Sequence, residues 1–206
     1  MGSTAPVVFV VDDDPAVLGY LERLVTSVGL TCEAYPSGDE FIEHLDSMQC
    51  GCAILDVRMP GLSGLDTQQF LVDHGIALPV IFVTGFADVG IAVRAMKAGA
   101  VDVFVKPVNS QELLDSVHRA IELDRRRLDA QETGRRLTLL QDTLTPRERE
   151  VMDLVVTGLP NKHVAAKLGT TLKTVKTHRA RVMRKMRADS LADLVRMADR
   201  LRNVGR

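Results

Sequence analysis

Along the first half of the chain, short apolar runs and longer stretches of helical period take turns. "VVFVV" (7–11), "CAILD" (52–56), "PVIFVT" (79–84) and "VDVFV" (101–105) are β-rich and bounded by turn formers, so they predict strands. "TCEAY" (31–35) alternates and predicts a weaker one. Between them, apolar positions recur at helical spacing over 15–28, 38–47, 65–74, 88–98 and from 110 onward. Continuously apolar strands are covered on both faces, and strands that alternate with helices pair in parallel. The prediction is an α/β doubly wound, five-stranded parallel sheet with functional residues outside the carboxyl ends of its strands.

From Ser110 the pattern becomes one long helix, with Leu113, Leu114, Val117, Ala120 and Ile121 as its apolar stripe. Charge then takes over in "ELDRRRLDAQETGRR", which reads as a solvated helix and linker; Gly134 is a candidate break, with an unbroken helix the alternative. A second set of elements starts at "TPRE". There Thr145 can cap a helix, Pro146 takes its first position, and Glu148 closes a capping box. Helices are predicted over 146–157, 161–168, 172–187 and 190–202, with Gly158 and Gly169 as C-terminal stops. The expected organisation is an α/β domain over 5–123, a helical linker over 124–143 and a small all-α four-helix domain over 144–206.

Charge sharpens this division. Residues up to Leu123 hold 6 Lys+Arg against 17 Asp+Glu, a balance of -11, and the remainder holds 20 against 10, a balance of +10. An acidic module is joined to one suited to a polyanion, and the two halves attract. Cys32, Cys50 and Cys52 fit neither a disulfide framework nor a zinc spacing. The N-terminus lacks the basic start and long apolar stretch of a signal peptide, and no run approaches the roughly 20 apolar residues of a membrane helix. A soluble cytoplasmic protein with reduced thiols and no membrane partner is expected.

Four strand ends carry complementary polar groups: Asp12-Asp13-Asp14, Asp56, Thr84 and Lys106-Pro107. Carboxylates converging there repel unless a cation joins them; Mg²⁺ suits oxygen ligands and bridges carboxylate to phosphate. A lysine supplies a point charge to a phosphoryl group, and a hydroxyl can bond one of its oxygens. Singly, each has a duller role. Asp14 precedes Pro15 and reads as a helix N-cap, which removes it from the ligands. Asp12 and Asp13 could end a strand, Thr84 could be a turn residue, and Lys106-Pro107 could be a plain or a cis X-Pro turn. Taken together, in order and at strand ends, they are hard to explain as coincidence.

Residues 7–122, through "VDDD", "LDVRMPGLSG", "VTG" and "KAGAVDVFVKP", resemble the receiver domain of bacterial two-component response regulators. The resemblance implies that Asp56 is the phosphoacceptor, Asp12 and Asp13 the acidic pair, Thr84 the switch hydroxyl and Lys106 the essential lysine. It implies Mg²⁺, or Mn²⁺, at this acidic pair, Asp56 and the backbone carbonyl of Arg58. In one place the chain departs from the family: Val103 stands where Tyr or Phe is usual, and Phe104 next to it should face the other side of the sheet.

In "TLKTVKTHRARVMRKM", Leu172, Val175, Val182 and Met186 form an apolar face, with Lys173, Thr177, Ala180, Arg181 and Arg184 roughly opposite and Lys176 at the flank. A charge run is usually a solvated face. Here no acid lies between Lys173 and Arg187, and a short helix with small Ala165 and Ala166 precedes across Gly169. That is a helix-turn-helix arrangement, whose second helix enters the major groove. Residues 144–204 resemble the LuxR-type helix-turn-helix of the NarL/FixJ class through "LTPREREVMDLVVTGLPNKHVAAKLGTTLKTVKTHRARVMRKM". The resemblance implies that Lys176, Thr177, Ala180 and Arg181 approach base edges. Asn161, Lys162, Lys173, Thr174 and Arg184 are then expected to hold phosphates. Pro160 replaces a common capping Ser, and His178 is expected near the core edge.

The combined expectation is a FixJ-type transcriptional regulator, phosphorylated at Asp56 by a sensor histidine kinase. It would then dimerise through the fourth helix, fifth strand and fifth helix, with Ala92, Val93, Met96 and Lys97 on that face. The homodimer would read a double-stranded promoter with two half-sites. It is not an enzyme on an external metabolite. An aspartyl-phosphate phosphatase would want a second Asp two residues after Asp56, where Arg58 stands. A phosphorylation-independent receiver would have lost the pocket residues, all of which are present.

Overall fold

The computed structural model describes residues 5–45, 50–85 and 89–204. The first part runs β1 (Val7–Val11), α1 (Pro15–Ser27), β2 (Thr31–Tyr35), α2 (Gly38–His44), β3 (Gly51–Asp56), α3 (Gly64–Asp73), β4 (Val80–Thr84), α4 (Val89–Lys97) and β5 (Asp102–Val105). The second part runs α5 (Ser110–Asp142), α6 (Pro146–Val155), α7 (Asn161–Lys167), α8 (Leu172–Met186) and α9 (Leu191–Val204). The second helix stops at His44, with Leu45 extended, short of its expected reach, while positions 46–47 and the expected start of the fourth helix at 88 lie outside the described residues. Two compact units divide the chain, Met1–Leu128 and Asp129–Arg206.

All five strands are parallel, in the order β2-β1-β3-β4-β5, as the alternation of strands and helices requires. The period of two sorts the strand residues into two cores. Phe9, Val11, Leu55 and Phe82 pack with Phe41, Leu71 and Ala95 from α2, α3 and α4. Val8, Val10, Ile54 and Val83 pack with Leu21 and Val25 of α1 and with Leu113, Val117 and Ala120 of α5. β1, β3 and β4 are buried throughout, which is why their sequences show no polar alternation. Val103 joins the first core and Phe104 the second, so Phe104 does face away from the side Val103 occupies.

Of the two alternatives at Gly134, the unbroken helix is the one formed: α5 is one helix of 33 residues. A single helical glycine costs only about 1 kcal/mol. Gly134 is buried on the same stripe as Leu137, so packing there outweighs the loss of a side chain. In the C-terminal unit, Val151, Met152, Val164, Val175, Val182, Met186 and Leu194 form the core. The Thr145 capping box is complete, and both of its bonds are present. Leu172 departs from the apolar face expected for it; as the first residue of α8 it lies past the core and is 45% exposed. Gly169, with φ +59°, makes the tight turn between α7 and α8 that a side chain would resist.

Candidate phosphoacceptor site and nucleic-acid interface

Each polar group of the crevice is delivered by the end of a buried element. β1 ends just before Asp12, β3 ends on Asp56 and β4 on Thr84, and all three side chains are buried. Lys106 follows β5, where its backbone N–H donates to the Thr84 carbonyl at 2.8 Å. From there its Nζ lies 2.6 Å from Asp12 Oδ2 and 2.9 Å from Asp56 Oδ1. The second oxygens are held by backbone: Asp12 Oδ1 accepts from the Asp14 amide at 3.0 Å, and Asp56 Oδ2 from the Arg58 amide at 2.6 Å. The Lys106-Pro107 bond is cis. Asp14 caps α1 by accepting from the Ala16 amide at 2.8 Å, which is why it stands apart from the crevice.

Two carboxylates thus share one ammonium. Burial, opposed by Lys106 and the Asp14 amide and reinforced by Asp56, raises Asp12 above its ordinary carboxylate value. Burial alone would lower the Lys106 ammonium; the two carboxylates outweigh it and hold it above its ordinary value. Asp13 is exposed at the rim. Among the described residues no three His, Cys, Asp or Glu side chains gather into a metal cluster. The donor set still fits a hard divalent cation: it consists of oxygens, and its negative charges outnumber its one cation.

The loop carrying Asp56 is tight. A Cβ on Gly64 would stand 2.1 Å from the Asp56 carbonyl oxygen, so the close turn from β3 into α3 needs glycine there. On α4, Ala92, Val93, Met96 and Lys97 lie with Val89 on one open, largely apolar surface; Val93 and Met96 are about half exposed.

In the C-terminal unit, Lys173, Lys176, Thr177, Ala180, Arg181 and Arg184 line one open surface of α8, opposite buried Val175 and Val182. Lys162 is exposed on α7. Two of the expected phosphate contacts also have structural partners. Asn161 Oδ1 accepts from Arg179 at 3.0 Å, and the Thr174 amide donates to the capping hydroxyl of Thr171 at 3.1 Å. Pro160 provides no side-chain cap to α7. His178 is half-buried, at the edge of the core.

Sequence reasoning missed buried Asp124, which lies in the stretch read as solvated and accepts from the Gly51 amide at 3.0 Å, and a polar centre of the C-terminal unit. Lys185 of α8 donates to Glu148 at 2.6 Å and to the Thr143 carbonyl at 2.8 Å, beneath the start of α6. Glu148 carried a local signal as a capping residue, but nothing periodic marks a partner 37 residues away.

Residues 8–118 match the response regulator receiver domain, and residues 142–198 match the bacterial regulatory proteins of the luxR family. The chain is a NarL/FixJ-type response regulator. It is 51% identical to nodulation protein W of Bradyrhizobium diazoefficiens, over 97% of this chain and 88% of that one. It is 41% identical to response regulator protein TodT of Pseudomonas putida, over 98% and 89% of the two chains. Among solved structures, the response regulator StyR superposes with a TM-score of 0.86 at 41% identity, covering 95% of this chain and 99% of that one. Full-length FixJ from B. japonicum gives 0.60 at 34% identity, covering 97% and 98%.

The regulator is therefore a two-component transcription factor and not an enzyme. Its receiver domain implies a sensor-kinase partner, and its LuxR-type domain implies DNA. Among the described residues, no helix is long and apolar enough to cross a membrane.

Proposed function

We propose that Asp56 is the phosphoacceptor of a switch that controls DNA binding. The observation that carries this reading is the convergence of Asp56, Asp12 and Lys106, with Nζ 2.6 and 2.9 Å from the two carboxylates. An Asp56 oxygen attacks the phosphorus of a phosphohistidine on the sensor kinase. The new O–P bond replaces the P–N bond, whose electron pair returns to the imidazole with a proton. Lys106 compensates charge on the phosphoryl oxygens, and the buried Thr84 hydroxyl donates to one of them. Asp12, Asp13, Asp56 and the Arg58 carbonyl would hold Mg²⁺ or Mn²⁺, which supplies further charge neutralisation when bound.

Phosphorylation replaces the single negative charge of the Asp56 carboxylate by the about -1.5 to -2 of a phosphoryl group, a net gain of up to about one negative charge in a buried crevice already rich in carboxylate. The signal passes through β4 and α4, with Val103 in the place where the family usually has an aromatic. The homodimer forms through Ala92, Val93, Met96 and Lys97. Lys176, Thr177, Ala180 and Arg181 then read base edges, while Asn161, Lys162, Lys173, Thr174 and Arg184 hold phosphates in two half-sites. The functional boundaries are a receiver over 5–123, a linker over 124–143 and a DNA-binding domain over 144–206.

The test is Asp56→Asn, with DNA binding measured with and without a small acyl-phosphate donor. The wild type should bind more tightly with the donor, and the variant should not respond. Equal response in both would refute the switch.

A further inference from the structure

The C-terminal unit carries a second cationic surface besides the face of α8 that runs from Lys173 to Arg184. A cleft of about 360 Å³ lies among the last turns of α5, the C-terminal end of α8 and the middle of α9. Its floor is apolar: Leu137 and Met186 are buried, and Leu140 and Met197 are half-buried against the same core. Its rim is cationic. Arg136, Arg187, Arg196 and Arg200 surround it, and all four are exposed.

The one acid of the rim, Asp193, is already engaged. Its Oδ1 accepts from Arg196 at 3.3 Å, and its Oδ2 accepts from the Asp189 amide at 3.2 Å, next to the start of α9. Among the described residues, Arg136, Arg187 and Arg200 form no ion pair. Arg187 adds an independent observation. It ends α8 at φ 56°, in the left-handed region where glycine is the ordinary choice. A long cationic side chain is kept there against the preference of the backbone, and it borders the cleft.

We propose that this cleft binds a small amphipathic anion: an alkyl or aryl body bearing one carboxylate. The body displaces water from the floor formed by Leu137, Leu140, Met186 and Met197. The carboxylate takes the paired N–H groups of an unpartnered guanidinium on the rim. The volume suits such a ligand, since small-molecule sites of about 300–1,000 Å³ combine apolar walls with a few placed polar groups. A DNA backbone has no use for the apolar floor. Met186 and Arg187 form the end of the helix that presents the basic face, so a ligand here sits against α8 from its buried side.

Octanoate tests the site on the full-length chain carrying isotope-labelled methionine methyl groups. Octanol serves as the body without the charge, and inorganic phosphate as the charge without the body. Octanoate should shift the Met186 and Met197 signals saturably, at least about tenfold more tightly than octanol or phosphate, the weight of one charge-assisted contact. Arg136→Gln with Arg200→Gln, both exposed positions, should weaken octanoate about tenfold and leave octanol unchanged. Added salt should weaken octanoate in the wild type, an arm that needs no variant. Non-saturating shifts, equal affinity for octanol, or no change in the double variant would overturn the proposal. So would displacement of octanoate by a short DNA duplex through the same methionine signals, which would assign the cleft to the nucleic-acid backbone.

Discussion

Two lysines of this regulator hold a buried carboxylate at 2.6 Å, Lys106 with Asp12 in the receiver and Lys185 with Glu148 in the DNA-binding unit. In the receiver, Asp56 presses on the same ammonium, so two acids divide one cation and Asp12 is raised above its ordinary value, chiefly by burial. In the DNA-binding unit the ratio is one to one. Lys185 also donates to the Thr143 carbonyl, and Glu148 also accepts from the Thr145 amide at 2.9 Å. With those donors, Lys185 foremost, Glu148 is held down to about 2. An identical contact distance therefore serves a frustrated site in one place and a satisfied latch in the other. The difference lies in the count of charges: excess negative charge favours a cation in the crevice, and the proposed phosphoryl transfer depends on that compensation.

The largest expected effect comes from making one substitution in both places. Lys106→Met should abolish the donor-dependent gain in DNA binding, because the phosphoryl oxygens lose their fixed cation. Lys185→Met should leave that gain in place and cost about 2–3 kcal/mol of stability, since Glu148 stays buried without its ammonium. Gel-shift titration with and without an acyl phosphate, together with urea denaturation, separates the two outcomes. If Lys185→Met silenced the response and Lys106→Met did not, the comparison would collapse.

The backbone shows the same contrast on a smaller scale. Gly64→Ala drives a Cβ to 2.1 Å from the Asp56 carbonyl oxygen and should cost about 2–4 kcal/mol, with slower phosphorylation. At Gly169, where a Cβ meets nothing within 4 Å, only the left-handed φ resists alanine. Gly169→Ala should cost about 1 kcal/mol. Equal losses in urea denaturation would show that the crevice loop has more slack than its geometry indicates.

The frustrated site was legible in the sequence and the satisfied one was not. Asp12 and Lys106 are 94 residues apart, but the parallel sheet sends every strand end to one crevice, so topology supplied their encounter. The strand period likewise separates Val103 from Phe104 in the sequence itself. Glu148 and Lys185 sit on two helices whose meeting no repeat announces, and each already had a local role. The glycine at 134 left the continuity of α5 open because a punctuation rule is local, whereas the helix is held there by a buried stripe that includes Leu137. Leu172 misled for the opposite reason: its spacing was right, but the core stops short of the first residue of α8.

Acid should separate the two sites further. The folded-state value of Glu148, about 2, lies below its ordinary 4.5, so the latch stabilises fully above about 4.5 and loses that contribution as pH falls through 4.5 towards 2. Glu148→Gln should cost about 2 kcal/mol at neutral pH. The gap from wild type should close across that acid window, measured as urea midpoints of the transition that reports the C-terminal helices. A gap that persisted unchanged to the bottom of the window would mean that Lys185 contributes packing alone.

The smallest expected effect has the opposite sign. Asp12→Asn keeps an oxygen for the Asp14 amide and changes the crevice from two acids per ammonium to one, leaving Asp56 and Lys106 as a matched pair. In buffer containing a chelator, the receiver should gain up to about 1 kcal/mol, because a crowded buried carboxylate has been removed. The same acid-to-amide change thus weakens one unit and strengthens the other. Denaturation of both variants side by side reads this directly. If Asp12→Asn cost as much as Glu148→Gln, the crevice would be another satisfied ion pair, and the excess charge would lose its place in the mechanism.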